Sequence, residues 1–303
     1  MAQTEVEVTR EIEREPAVLP GETGTRLEYR RFNAFHRWMH FLTMVSFTVL
    51  VFTGMPLKYK GLGWAQTTMD VIGGVQSAAI LHRIAAVVSV FSVGCEAVYI
   101  LFYILLRKGP LWGSGTIMFC RKDLDDVTAM FKWFFGRGPY PRFDRFTYWE
   151  KFDFWSLAGG TFIIAATGFM MWFPVQTAKL VPGIFLNIAL VIHSNEALLA
   201  VGVIFIFVHL FSAHVKPGSF PLDKVIFDGS LPFREYAHER PLEYERRIRE
   251  GTLRQVLVAK DTDTARAKAA MGLWYVITII ALVCAVGFGI FFAWATLTWI
   301  GLL

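Results

Sequence analysis

The sequence predicts an all-α integral membrane protein, in which a four-helix transmembrane bundle is followed by a fifth, C-terminal transmembrane helix. Composition is one reason: the 303-residue chain is 54% hydrophobic and 16% aromatic but only 18% charged, which is too apolar for an ordinary soluble domain. Length is the other, since a spanning helix needs roughly 20 apolar residues. Five segments qualify, the first when residues 38–40 are added: residues 41–57, 84–106, 154–178, 180–213 and 271–303.

These segments are almost free of charge. The second contains only Glu96 and the fourth only Glu196, and the other three contain no charged residue. Between the second and third segments, "RKDLDDVTAMFKWFF" begins with acidic residues and continues with apolar ones, which predicts a helix lying in the membrane interface. After the fourth, "ERPLEYERRIREGTLRQVLVA" predicts a charged, solvated helix. The domains expected are therefore a flexible cytoplasmic arm over 1–30, a bundle over 31–229, a charged helix or linker over 230–270, and the fifth span over 271–303.

The basic residues predict the topology. Of 30 Lys and Arg residues, 26 lie in the N-terminal segment and in the loops after the second and fourth spans. By the positive-inside rule these segments are cytoplasmic, and the C-terminus lies on the other side. The net charge of +5 is thus explained by topology, and we expect no nucleic-acid partner. The three cysteines are scattered, and no C-x-x-C-H motif for covalent haem attachment or cysteine cluster for iron–sulfur occurs.

Four histidines sort into two depths. On the predicted topology His40 lies near the cytoplasmic surface and His82 near the outer surface. His193 lies near the outer end of the fourth span, and His209 is about 24 Å further in, at 1.5 Å per residue. His40 with His209, and His82 with His193, therefore form two pairs, each from two helices. Facing imidazoles at two depths in a bundle suit two bis-histidine haems. A transporter with a histidine-lined proton or metal path and a purely structural membrane anchor remain alternatives.

Several segments carry a family resemblance. "RFNAFHRWMHFLTMVSFTVLVFTG", "ILHRIAAVVSV", "EKFDFWSLAGGTFIIAATGFMMWFP" and "VIHSNEALLAVGVIFIFVHLFSAH" resemble the membrane dihaem cytochrome b subunits of formate dehydrogenase, Ni-Fe hydrogenase and thiosulfate reductase. The resemblance covers about residues 31–229, and "TYWEKFDFW" and "FSAHVKPGSFPLDKVIFDG" look closer to a branch that works with multihaem c-type cytochromes. It implies ligation of two b haems by the following residues: His40, His82, His193 and His209.

The resemblance also implies a function and a location. The expected protein is an electron-transfer subunit of a quinone oxidoreductase complex, linking menaquinol or ubiquinol to a partner redox subunit. That partner would be a multihaem cytochrome c or an iron–sulfur protein, in a hetero-oligomeric complex. The location would be a bacterial or archaeal inner membrane, with the chain in contact with lipid and its N-terminus in the cytoplasm.

The spacing of the fourth-span histidines departs from the family pattern. Sixteen residues put His193 and His209 about 160° apart on a straight α-helix, whereas the family spacing of about fourteen nearly aligns them. Either the helix is kinked or π-bulged between Ser194 and Phe207, or the two are not both ligands. His214 is then the rival of His209, with His36 as its counterpart on the first span. These two could also bind an additional haem or metal, or hydrogen-bond haem propionates or quinol.

Other residues have weaker assignments. Glu96 is either a proton acceptor or haem-site partner, or a protonated structural group. Cations that flank the predicted haem levels are candidates for haem propionates or interface anchors: Arg37, Arg83, Lys58, Lys60 and Lys216. Four glycines would let large groups or helices approach closely: Gly54, Gly159, Gly160 and Gly168. In the resembled formate dehydrogenase subunits the quinone lies beside the cytoplasmic-side haem, which implies a quinone and proton role for Tyr148, Glu150, Lys151 and Asp153. Their alternative role is that of interfacial ion pairs and an aromatic-belt tyrosine.

The topology is testable by single-cysteine labelling. Cysteines placed at Thr25 and Ser230 should react with an impermeant maleimide only from the cytoplasmic side, and a cysteine added after Leu303 only from the other side. The native Cys95, Cys120 and Cys284 are first replaced by serine. Reversed accessibility would contradict the topology drawn from the basic residues and would exchange the two predicted histidine depths.

Overall fold

The structure, a computed structural model, describes residues 25–106, 110–113, 115–216, 219–220, 222–261 and 265–302. In these residues the α-helices are α1 Ala34–Lys58, α2 Gly63–Ile72, α3 Gly74–Leu105, α4 Arg121–Phe134, α5 Tyr148–Trp172, α6 Pro174–Leu180, α7 Ile184–Leu199, α8 Val225–Asp228, α9 Phe233–Glu239, α10 Pro241–Arg249 and α11 Ala265–Trp299. A π-helix, Ala200–Val215, continues α7, and a 3₁₀ turn covers Leu253–Val256. The strands are β1 Thr25–Arg30, β2 Ser230–Pro232 and β3 Leu257–Asp261.

Within the described residues, five helices are long and apolar enough to span a membrane, which confirms the predicted fold class. The candidate spans are Ala34–Lys58, Gly74–Leu105, Tyr148–Trp172, Ile184–Ala213 and Tyr275–Trp299. The third ends earlier than predicted because Pro174 starts a separate short helix, α6. The second begins earlier, directly after Gly73, whose φ of 94° lets the chain end α2 in a left-handed cap.

The chain divides into two compact units, which we describe separately. The membrane unit comprises the described parts of Trp38–Lys108, Phe152–Asp223 and Ile279–Leu303. The sheet unit comprises those of Met1–Arg37, Gly109–Lys151 and Lys224–Thr278.

Hydrogen bonds between hydroxyl groups join helices in the membrane unit. The Thr43 hydroxyl donates to Ser92 Oγ at 2.8 Å, because Ser92 itself donates to the Ser89 carbonyl. This bond connects α1 to α3 at a buried position. Such bonds satisfy hydroxyl groups that have no water in the bilayer core.

The fifth span belongs to the membrane unit from Ile279 onward. Gly202 admits the Phe292 ring, since a Cβ added at residue 202 would lie 2.9 Å from Phe292 Cε1. The Tyr59 hydroxyl donates to Thr296 Oγ1 at 2.9 Å, and Tyr59 and Phe292 share one buried apolar cluster with Val201. The fifth helix is therefore packed against α1 and the π-helix.

The sheet unit contains a three-stranded antiparallel sheet with the order β2-β1-β3. In β1 the alternating Leu27 and Tyr29 contribute to an apolar core, with Tyr29 fully buried. The Tyr29 ring stacks on Tyr236 of α9, with ring centres 3.7 Å apart. Burial raises the pKa of both phenols, so both remain protonated at neutral pH.

The sheet corrects two of the expected segment boundaries. The arm predicted over 1–30 includes β1, so its last six residues are ordered; residues 1–24 lie outside the described part of the chain. The segment 230–270 is not one charged helix, because it contains β2, α9, α10, the 3₁₀ turn, β3 and the start of α11. The prediction missed the sheet because its strands are short and pair across about 200 residues of sequence. Helices were predicted correctly at α4 and α10.

Strand pairing also bears on topology. β1 precedes the first span, and β2 and β3 follow the fourth. Because the three strands share one sheet, the segment before the first span and the loop after the fourth must lie on the same side of the membrane. This agrees with the distribution of basic residues. Which side that is stays a prediction.

Buried ion pairs hold the sheet unit together. Glu243, fully buried, accepts hydrogen bonds from the Tyr29 hydroxyl at 2.8 Å and from Arg247, and Arg145 lies 3.3 Å away. Lys151 is only 1% exposed, and its Nζ donates to Asp123 Oδ2 at 2.9 Å. The same Asp123 oxygen caps α4 by accepting the Cys120 N–H.

Removing one partner of the Lys151–Asp123 pair should destabilise the protein. In Lys151→Met the buried Asp123 carboxylate loses its counter-charge, and we expect a loss of about 3–5 kcal/mol, measured by thermal unfolding in detergent. Adding Asp123→Asn should recover part of it, because the amide oxygen can still cap α4. The control Arg142→Ala breaks the exposed pair with Glu245 and should cost under about 1 kcal/mol. Equal losses in the Lys151 and Arg142 variants would contradict this assignment.

Candidate functional site

The structure brings the four predicted histidines together as two facing pairs within the membrane unit. His40 of α1 faces His209 of the π-helix, with ring centres 6.0 Å apart and ring planes 28° apart. His82 of α3 faces His193 of α7, with ring centres 6.2 Å apart and ring planes 62° apart. After their predicted depths, we call these the inner pair and the outer pair.

The π-helix explains how His193 and His209 can serve different pairs in one bundle. Seven α-helical steps separate His193 from Ala200, and nine π-helical steps separate Ala200 from His209. At about 100° per α-helical residue and about 82° per residue for i→i+5 bonding, the total rotation is about 1440°, or four full turns. Both imidazoles therefore leave the helix on the same face. The π-helix overlaps the interval in which a kink or π-bulge was predicted and extends beyond Phe207 to Val215. Whether both histidines bind a metal stays a prediction.

Hydroxyl and carbonyl oxygens orient the outer pair. Thr53 Oγ1 lies 2.9 Å from His82 Nδ1 and donates its own proton to the Val49 carbonyl, so His82 Nδ1 must be the donor. His193 Nδ1 lies 3.0 Å from the Ile164 carbonyl, which can only accept, and 3.3 Å from Thr167 Oγ1. In both rings the proton is therefore on Nδ1, and Nε2 keeps its lone pair for a metal.

Glycines admit these two rings. A Cβ added at Gly54 would lie 3.2 Å from His82 Cε1, and one added at Gly168 would lie 3.2 Å from His193 Cε1. Each glycine follows the threonine that contacts the same histidine: Thr53–Gly54 in α1 and Thr167–Gly168 in α5. Two helices thus use the same dipeptide to hold the two outer imidazoles. Both glycines were predicted from the sequence to allow close approach, whereas the threonines were not predicted, although Thr-Gly occurs in both the first and the third spans.

The inner pair has a different partner. Asp153 Oδ2 of α5 lies 2.8 Å from His209 Nδ1, and a carboxylate oxygen requires that nitrogen to carry the proton. Nε2 of His209 is again left with its lone pair. Phe205, one turn earlier in the π-helix, stacks with His209 at a ring-centre distance of 6.1 Å.

Both pairs have the dimensions of a bis-imidazole iron site. Two bonds of about 2 Å to one metal ion, plus the distance from each nitrogen to its ring centre, put imidazole ring centres about 6 Å apart. The observed separations of 6.0 and 6.2 Å fit this value. No group of three or more His, Cys, Asp or Glu side chains in the described part of the chain is arranged to hold a metal ion. Two imidazoles with no further protein ligands match a haem better than zinc.

The residues predicted to assist the haems lie at scattered positions. Glu96 is half-buried on α3, fourteen residues after His82. Arg83 lies over the Trp172 ring, 5.4 Å from its centre, and Lys58 donates to Asn195 Oδ1 at 3.0 Å. These two cations belong to the membrane unit and come from helix segments adjoining the outer pair.

Two of the residues predicted for a quinone site form ion pairs in the sheet unit. Glu150 accepts hydrogen bonds from Arg31 and Arg240, both at 2.8 Å, and Lys151 bonds Asp123. For these two the geometry supports the alternative interpretation, that of structural ion pairs. Tyr148, at the start of α5, lies with its ring 6.3 Å from that of Phe143. A quinone role for these residues stays a prediction.

Of the two rival ligands only His36 has a described side chain, and its ring lies against Phe32 and Phe35 and is not part of either pair. His36 lies in the first turn of α1, where its backbone N–H is capped by Asn33 Oδ1 at 3.1 Å. Arg37 lies against Gly229 in the sheet unit. The side chain of His214 lies outside the described part of the structure.

Filling the space beside an outer imidazole should disrupt that pair alone. Gly168→Leu places a side chain where His193 now lies, and we expect the haem implied between His82 and His193 to be lost, halving the haem content per chain. Gly159→Leu is the matched control on the same helix, because nothing lies within 4 Å of a Cβ at that position. Haemochrome analysis of both variants checks the result. Equal haem content in the two would show that Gly168 does not define the site.

Comparison with known proteins identifies the family. A search of curated proteins finds no match to the chain. The family model described as prokaryotic cytochrome b561 matches residues 31–219, more than half of the chain, and the match contains both histidine pairs. With five apolar helices and two imidazole pairs of haem-binding dimensions, the chain belongs to the prokaryotic cytochrome b561 family, a family of membrane b-type cytochromes.

Proposed function

We propose that the protein is a dihaem cytochrome subunit that carries electrons between quinone or quinol in the membrane and a partner redox subunit. Family membership supports a membrane b-type cytochrome in electron transfer. The proposal of two haems rests on two facing imidazole pairs, with ring centres 6.0 and 6.2 Å apart. One pair suits one haem, so two pairs suit two.

The protein's own residues have defined tasks in this proposal. His40 and His209 would hold one haem b, and His82 and His193 the other, without covalent attachment. Haem iron supplies reversible one-electron chemistry when bound. Thr53, Thr167 and the Ile164 carbonyl hold the outer imidazoles in the Nδ1–H tautomer. Arg83 and Lys58, both in the membrane unit, are cations that would form ion pairs with the haem propionates.

A quinone is the proposed electron partner in the membrane. Quinol oxidation requires an acceptor within hydrogen-bond reach of a hydroxyl and a route for its proton. The resemblance to formate dehydrogenase subunits supports a site beside the inner pair and the first turns of α5, with Glu96 as a deeper proton acceptor. Menaquinone and ubiquinone both fit the proposal.

The second electron partner is proposed from the same resemblance. A subunit that carries single electrons needs a further redox centre to receive or supply them, and a multihaem cytochrome c or an iron–sulfur protein would do so in a hetero-oligomeric complex. The proposed location is a bacterial or archaeal inner membrane, with the N-terminus cytoplasmic by the positive-inside rule. The facing arrangement of the imidazoles favours electron transfer over a histidine-lined transport path, which needs polar groups at successive turns.

The proposal predicts both cofactor content and reactivity. Acid-acetone extraction should release two b haems per chain, because nothing in the sequence attaches haem covalently. A menaquinol or ubiquinol analogue should reduce both haems anaerobically, as followed in the visible spectrum. His82→Ala should leave one haem, and the control His36→Ala should leave two.

Three results would contradict it in different ways. A colourless protein would exclude the haem assignment altogether. Two haems that no quinol reduces would retain a dihaem cytochrome but exclude the quinone. One haem in His36→Ala and two in His82→Ala would show that the pairs are assigned to the wrong histidines.

A further inference from the structure

We infer that Asp153 is a positioning residue for His209 and makes the inner-pair haem the lower-potential haem of the two. The inference rests on the proposed function, since it requires one haem in each histidine pair. It gives Asp153 the role of tuning an axial ligand, in place of the quinone and proton role predicted from the sequence. The unequal chemistry of the groups that hold the two pairs supports this role.

Asp153 makes a direct bond to the inner ligand. Its Oδ2 lies 2.8 Å from His209 Nδ1, which is a normal length for a charge-assisted hydrogen bond. Asp153 and His209 come from two helices of the same membrane unit, α5 and the π-helix. The bond therefore holds the π-helical histidine against a neighbouring helix and directs Nε2 away from the carboxylate, toward His40.

The outer pair is held by neutral oxygens. His82 bonds the hydroxyl of Thr53, and His193 bonds the carbonyl of Ile164 with Thr167 nearby. A neutral hydroxyl or carbonyl oxygen is a weaker acceptor for the Nδ1–H than a carboxylate is, so it makes the imidazole less electron-rich. The ligand bonded to the carboxylate is consequently the stronger electron donor through Nε2.

The difference acts on the oxidised iron. Ferric haem carries one more positive charge than ferrous haem, so a carboxylate on the ligand stabilises the ferric form both through the imidazole and directly by Coulomb attraction. The Asp153 side chain is only 22% exposed, so water screens that attraction incompletely. The inner pair should thus hold the haem with the lower reduction potential. A single electron shared between the two haems then resides mainly on the outer pair.

The test is a redox titration of the whole purified protein and of Asp153→Asn, monitored by the visible absorbance of both haems. The native protein should titrate in two one-electron steps. In Asp153→Asn the midpoint potential of the lower-potential step should rise by at least about 59 mV, which is a tenfold change in the equilibrium constant of a one-electron reduction. The other step should change less than twofold. Asp153→Glu, which keeps the charge, should shift the lower step less than Asp153→Asn does.

A matched control comes from the outer pair. Thr167→Val removes a neutral partner of His193 while the Ile164 carbonyl remains, so it should leave the lower-potential step unchanged. Unchanged potentials in Asp153→Asn, or equal shifts of both steps, would overturn the inference while leaving the dihaem function intact. If Asp153→Asn binds only one haem, the retained haem must be the higher-potential one, and retention of the lower-potential haem would also overturn it. Absence of two haems in the native protein would instead refute the proposed function.

Discussion

The structure of the membrane unit depends on one interaction: a hydrogen bond from an imidazole Nδ1–H to an oxygen of another helix, which fixes the tautomer and leaves Nε2 with its lone pair. An unpaired N–H in hydrocarbon costs several kcal/mol, and water cannot satisfy it there. For three of the four paired histidines the structure shows the acceptor of this N–H. It is the Thr53 hydroxyl for His82, the Ile164 carbonyl for His193 and the Asp153 carboxylate for His209. Each partner comes from a different helix than the histidine it holds. The bonds that fix the tautomers are therefore also bonds that hold the bundle together.

The π-helix meets a second requirement, that of alignment. The fourth span supplies one histidine to each pair, and both rings must leave the helix on one face. Sixteen α-helical residues would leave the two imidazoles about 160° apart, and i→i+5 bonding from Ala200 onward restores the alignment. The looser packing of a π-helix is offset by contacts at Gly202, which admits Phe292 of the fifth span, and at Phe205, which stacks on His209. The fifth helix thus packs against the segment that carries His209.

The sheet unit buries charged side chains from the segments outside the spans. Glu243 and Lys151 are both buried, and each is compensated by opposite charge or by hydrogen bonds. Buried charges are tolerated only when they are paired in this way. Because β1 pairs with strands that follow the fourth span, the unit also ties the chain before the bundle to the chain after it.

The sequence by itself determined the number of spans, the distribution of the basic residues and the family resemblance, and it predicted the grouping of four histidines into two pairs. These depend on local composition and on residue counts along the chain, which require no knowledge of helix rotation. Only the tertiary structure decided which atoms meet. The register of the π-helix, the Thr53–His82 contact and the bond from His209 to Asp153 depend on how helices are rotated against each other. The sheet depends on pairing between Tyr29 and residues more than 200 positions away. Lys151 and Glu150 show the same limit, since a charged residue at a helix start has the same sequence signature whether it serves a substrate or a buried ion pair.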